Sequence, residues 1–196
     1  ATNCYTMGDT DTREAVIIDL GDRADILIKD WKDRNWHPQA VLLTHGHFDH
    51  IGALAGVKKE YPDIKVYAAA KEKEVMESPT LNLSSSFGAA FTAQADIYLE
   101  DGAEIEVLGR TCKCLLVPGH TKGGMCYYFP EEKVVFTGDT LFCYSVGRTD
   151  FPTGDAKALE KAIREKLFTL PDETLVLPGH DAQTMIGKEK KGNPYF

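Results

Sequence analysis

Short apolar runs punctuated by Gly, Pro and Asp recur along the chain, and segments with helical spacing separate them. Asn3-Cys4-Tyr5 and Ala15 to Asp19, joined through a Gly8-Asp9 turn, predict a hairpin. Ile26, Leu27, Ile28 and Trp31 among charged neighbours predict a helix that ends near Asn35, because Pro38 cannot continue it. A strand from Val41 to Thr44 follows, then a helix carrying Ile51, Leu54, Ala55 and Val57, stopped by Pro62-Asp63. Ile64 to Ala68 reads as a short strand and Lys71 to Glu77 as a charged helix. The polar, small-residue stretch 80–95 reads as a mobile loop or lid. Antiparallel strands are expected over Glu104 to Leu108 and Thr111 to Val117, and over Met125 to Phe129 and Lys133 to Thr137. Asp155 caps a helix whose Leu159, Ala162, Ile163 and Leu167 share one face, and Thr174 to Leu177 forms the last strand. Residues 187–196 read as a peripheral tail. Each half of the chain is thus several strands followed by a helix, which predicts a layered α/β fold of helix, sheet, sheet and helix in a single domain spanning 1–196.

Candidate chemistry sits where these strands end. Of the six histidines, His45, His47 and His50 fall in one turn with Asp49, directly after Val41-Leu42-Leu43. His120 follows Leu115-Leu116-Val117 through Pro118-Gly119, and His180 follows Leu175-Val176-Leu177 through Pro178-Gly179. A fourth unit, Val134 to Gly138, ends in Asp139. Imidazoles and carboxylates gathered from several strand ends suit a borderline metal with an open coordination position. The sixth, His37, lies before Pro38 and reads as a surface residue.

Composition narrows the partner. A net charge of -8 and a pI near 5.2 exclude a basic surface for nucleic acid or anionic membrane, so a small-molecule substrate is expected. Five cysteines without a CxxC pair suggest reduced thiols and a cytoplasmic location. Cys112 and Cys114, two apart on one strand face, read as small core residues. No apolar run approaches the roughly 18 residues of a membrane span, and no basic-then-apolar leader opens the chain. Ala1 without a Met before it suggests that the natural start was trimmed or lies upstream.

HxHxDH at 45–50, His120, Asp139 and His180 together resemble the metallo-β-lactamase superfamily, in the family's order and across almost the whole chain. The resemblance implies a four-layer αββα sandwich with its metal site at one edge of the two sheets. It also implies two divalent metals, zinc first, with iron or manganese as alternatives. His45, His47 and His120 would hold one, Asp49, His50 and His180 the other, with Asp139 bridging and a shared water as nucleophile. Asp49 would also serve catalysis directly. His47 stands where the di-iron redox branch carries a glutamate, and Asp139 where antibiotic-hydrolysing zinc lactamases typically carry a cysteine. Both differences point away from those branches.

Gly119-His120-Thr121, Gly123-Gly124, Tyr127, Phe136 to Phe142 and Gly147-Arg148 are similar to glyoxalase II, the hydroxyacylglutathione hydrolases, and above all to their short bacterial type. This implies hydrolysis of a thioester such as S-D-lactoylglutathione by a monomer or homodimer. Arg148 would bind a carboxylate of the carrier thiol, with Lys122 steering an acidic substrate and Tyr127 in pocket or core. The family's glutathione-contacting tyrosine is Asp150 here, and its C-terminal helical domain has no counterpart in these 196 residues, so thioester hydrolysis is better supported than glutathione recognition. Gly147 to Phe151 is shared with the single-iron persulfide dioxygenases, which leaves that activity as the alternative; a lactonase and a non-enzymatic metal-binding module are weaker ones. Cys143, four positions past Asp139, reads as packing or as a redox-sensitive neighbour of the metals. Asp19 after Val16 to Ile18 either caps a strand end or holds a ligand histidine through its outer ring nitrogen.

Overall fold

The computed structural model describes residues 2–196. The chain opens with an antiparallel pair, β1 (Tyr5–Gly8) and β2 (Glu14–Ile18). Helix α1 (Ala24–Asp33) crosses to β3 (His37–Leu42), and two short helices, α2 (Phe48–Ile51) and α3 (Leu54–Glu60), cross to β4 (Lys65–Ala69). A single 3-10 turn at Ala70–Glu72 runs into α4 (Lys73–Met76), followed by α5 (Ser84–Phe87) and β5 (Ile97–Leu99). Strands β2 to β5 are parallel neighbours, so the first sheet runs β1-β2-β3-β4-β5.

Strands β6 (Glu104–Val107), β7 (Arg110–Leu116), β8 (Met125–Phe129) and β9 (Val134–Gly138) form an antiparallel meander. A small hairpin, β10 (Leu141–Phe142) and β11 (Ser145–Val146), precedes α6 (Ala156–Ala162), which ends in a π turn at Ile163–Leu167. The crossover brings β12 (Leu175–Pro178) parallel to β9, and β13 (Thr184–Met185) and α7 (Ile186–Gly192) complete the chain. No helix among the described residues is long and apolar enough to cross a membrane.

Strand alternation builds the layers. On β2, Ala15 and Ile17 face a helix-side core with Trp31, Leu54 and Val57, while Val16 and Ile18 face an inter-sheet core. On β8, Met125, Tyr127 and Phe129 face that same inter-sheet core, whereas Cys126 and Tyr128 face Leu159, Ile163 and Leu167 of the final crossover. Three cores between helix, sheet, sheet and helix make the αββα sandwich the periodicity predicts. Cys112 and Cys114 are buried between the sheets, as packing residues.

Several expectations give way. Stretch 80–95 is not a loose lid: the buried Asn82 amide donates to the Met76 and Phe91 carbonyls, and Ser84 exchanges hydrogen bonds with Phe91. Polar residues fold it by satisfying its own backbone, and an apolar pattern does not register that. The tail is anchored too. Ile186 and Glu189 are buried, and the Glu189 carboxylate accepts from Tyr144 N, Thr184 Oγ1 and Asn193 Nδ2. The helix expected from Ile51 is broken by a turn at Gly52-Ala53, and β5 was not anticipated.

Candidate metal centre

All four ligand-bearing turns leave carboxyl ends of strands at one edge of the sandwich: β3, β7, β9 and β12. In open α/β sheets such ends are where ligands gather. Seven side chains converge there. His45, His47 and His120 form one group, His45, His50 and Asp139 a second, and Asp49, His50 and His180 a third, the donor atoms of each lying within 4.8 Å of one another. His45 Nε2 and His120 Nε2 lie 3.1 and 3.0 Å from His47 Nδ1. Asp139 stands between the groups, with Oδ1 3.3 Å from His50 Nε2 and Oδ2 3.6 and 3.4 Å from His120 Nε2 and His180 Nε2. Asp49 Oδ2 lies 3.3 Å from His180 Nε2 and accepts from Thr2 Oγ1 at 2.9 Å.

Outer hydrogen bonds decide what the inner nitrogens present. His120 Nδ1 donates to the Arg148 carbonyl at 2.7 Å, and His50 Nδ1 donates to Asp19 Oδ2 at 2.8 Å. The Thr44 hydroxyl donates to Asp19 Oδ2, so its oxygen is free to accept from His45 Nδ1 at 3.1 Å. With their outer nitrogens protonated, His45, His50 and His120 direct unprotonated Nε2 lone pairs inward. Lone pairs facing lone pairs and carboxylates need a cation between them, and the donor set fits a divalent metal.

Electrostatics agree. Burial holds His45, His47 and His120 below the usual imidazole range, His47 down to about 3, so these ligands stay neutral. Burial also works against a charge on His50, but Asp139 and Asp19 outweigh it and push that ring upward, because the carboxylates favour a positive charge at Nε2 that a bound metal would supply in place of a proton. For Asp49, burial is overcome by His180 and His50, which bring the carboxyl down to about 2.

The other anticipated residues fare differently. Arg148 reaches the rim, where its guanidinium pairs bidentately with Asp150 at 2.7 and 2.6 Å and lies 3.9 Å over the Phe151 ring, which in turn meets His47 edge-on. Lys122 pairs with Glu74 on the surface. Tyr127 is not a pocket residue: it is fully buried between the sheets and its hydroxyl donates to the Leu43 carbonyl at 2.8 Å. Asp19 takes the histidine-holding role, joining Thr44 N, Thr44 Oγ1 and His50 Nδ1 at 2.8 Å each.

Glu72 was missed. It is fully buried, and it accepts from Gly46 N and Gly123 N, one amide in each of two ligand turns. A signal existed: Glu72, Val75 and Met76 share helical i, i+3, i+4 spacing, which puts the carboxylate on the buried face. The Phe48–Phe87 stack, with ring centroids 5.2 Å apart, was also unforeseen.

Comparison with known proteins agrees with this geometry. The metallo-beta-lactamase superfamily model matches residues 1–180. A hydroxyacylglutathione hydrolase, GloC of Haemophilus influenzae, is 35% identical over 99% of this chain and 92% of its own length. Among solved structures, the B3 metallo-beta-lactamase BLEG-1 superposes with a TM-score of 0.93 at 41% identity, covering 99% of this chain and 93% of that one. TTHA1623 in a di-iron-bound form gives 0.87 at 36% identity, covering 100% and 95%. The chain belongs to the metallo-beta-lactamase superfamily of metal-dependent hydrolases.

Proposed function

We propose that the protein is a binuclear metal-dependent hydrolase of small-molecule thioesters, of the hydroxyacylglutathione hydrolase kind. The observation that carries this reading is the inward alignment of the His45, His50 and His120 lone pairs around Asp139, whose Oδ2 lies between His120 of one group and His180 of the other while Oδ1 faces His50. His45, His47 and His120 would hold one divalent metal and Asp49, His50 and His180 a second, with zinc the first choice. The di-iron form of TTHA1623 keeps iron in play. When bound, such a pair would supply Lewis-acid polarisation of the acyl carbonyl and a water acidified toward hydroxide near neutral pH.

The chain's own residues do the rest. Asp49 is a third exposed and its low pKa keeps it an anion, so its carboxylate orients the attacking water by accepting one of its hydrogens. Phe151 and the paired Phe48 and Phe87 offer apolar contact near the ligand turns. Arg148 receives a substrate carboxylate by exchanging it for Asp150, whereas Lys122 is held by Glu74. The similarity to GloC supports a lactoylglutathione-type thioester.

The test is thiol release by protein with its metal content measured, over a panel of glutathione and other small thioesters. Turnover with about two metals per chain is expected. The likeness to BLEG-1 places β-lactams in the same panel, although Asp139 points away from them. Oxygen uptake with glutathione persulfide by protein holding one iron, without thioester turnover, would replace this reading with the dioxygenase.

A further inference from the structure

Glu72 lies outside the ligand set yet touches both turns that carry the three-histidine group. Its Oε2 accepts from Gly46 N at 2.7 Å, between His45 and His47, and its Oε1 accepts from Gly123 N at 2.8 Å, three residues past His120. Both turns are pressed onto the Glu72 helix turn. A Cβ on Gly46 would sit 2.8 Å from Met76 Cγ, and one on Gly123 would sit 2.7 Å from Glu72 N. Each turn therefore needs glycine at its point of contact.

The carboxylate is an expensive choice for packing alone. It is completely buried, and the nearby Lys122 ammonium pairs with Glu74 instead. An apolar side chain of similar size would fill the space without desolvating a charge. What only a carboxylate supplies here is two acceptors on one rigid fork, each for a different loop. The Glu72 hydrogen bonds to Gly46 N and Gly123 N flank the three-histidine group, whereas the outer support of His50 in the other group is Asp19.

We infer that Glu72 is a positioning residue that sets the spacing of the His45-His47 turn from the His120 turn, and so tunes metal affinity at the three-histidine position alone. This rests on the binuclear reading above. Glu72→Gln keeps shape but offers one acceptor and turns an NH2 toward the second amide. Glu72→Asp keeps both acceptors on a stem too short to reach both loops.

The experiment is a cobalt(II) titration against a competing chelator, with proton NMR of the exchangeable imidazole N–H signals shifted by the bound ion. In Glu72→Gln and Glu72→Asp, affinity at the position reporting His45, His47 and His120 should fall about 10–100-fold, the scale of an outer-shell loss. Affinity at the position reporting His50 should hold. Unchanged affinity at both positions, or equal loss at both, overturns the inference. Wild-type protein that binds no cobalt at either position overturns the binuclear reading itself, and this inference with it. Should the variants not fold, hydrogen exchange in the zinc-loaded wild type decides. Gly46 and Gly123 amides should rank among its slowest-exchanging loop amides, and fast exchange at either contradicts the brace.

Discussion

The two halves of the metal centre are built differently. His45, His47 and His120 are at most 4% exposed, are neutral, and sit in turns tied together by Glu72. In the other half, His50 is buried on Asp19, but Asp49 and His180 are 33% and 27% exposed. The first half is closed and held from behind, while the second opens to solvent and carries a carboxylate. On the proposed reading, a substrate arriving from solution would meet the open half first.

The strongest way to break this division is at Asp139, which faces both halves. Asp139→Ala should abolish stoichiometric loading of both positions and lower kcat by more than the about 10–100-fold typical of an outer partner. Metal analysis alongside kinetics checks it, and full loading of either half would show that Asp139 does not join them. Next in size is Asp19→Asn. Asp19 serves His50 directly and His45 through Thr44, so here both positions should lose affinity, by about 10–100-fold, where Glu72 variants affect one.

These contrasts bear on what the sequence discloses. The seven candidate ligands were legible as a cluster because each follows an apolar strand through a tight turn, so pattern and chemistry coincide. Asp19 was half legible, as an acid at a buried strand's end. Glu72 was not, because it stands in the run Lys71-Glu72-Lys73-Glu74, where four charges look alike and only the spacing to Val75 and Met76 separates the buried one. Asn82, Ser84 and Glu189 escaped for a related reason: buried polar groups that satisfy backbone look like surface residues in a hydropathy pattern. Tyr127 stayed open between pocket and core because a tyrosine in this stretch reads the same whether its hydroxyl meets substrate or the Leu43 carbonyl.

Smaller effects sharpen the picture at its margins. Arg148→Ala should raise KM by no more than about fivefold with kcat unchanged, since the exposed guanidinium already has Asp150 as a partner. A large fall in kcat would place Arg148 nearer the chemistry. Tyr127→Phe should cost about 1 kcal/mol of stability through the lost hydrogen bond, read by denaturant unfolding, and leave KM untouched. A raised KM would return Tyr127 to the pocket.

The central claim is that one chain holds two metals joined through Asp139. Elemental analysis of protein isolated without added metal, on samples that release thiol from a glutathione thioester, tests it most directly. About two metal ions per chain are expected, falling together with activity in Asp139→Ala. One metal per chain with undiminished thioester turnover would contradict it.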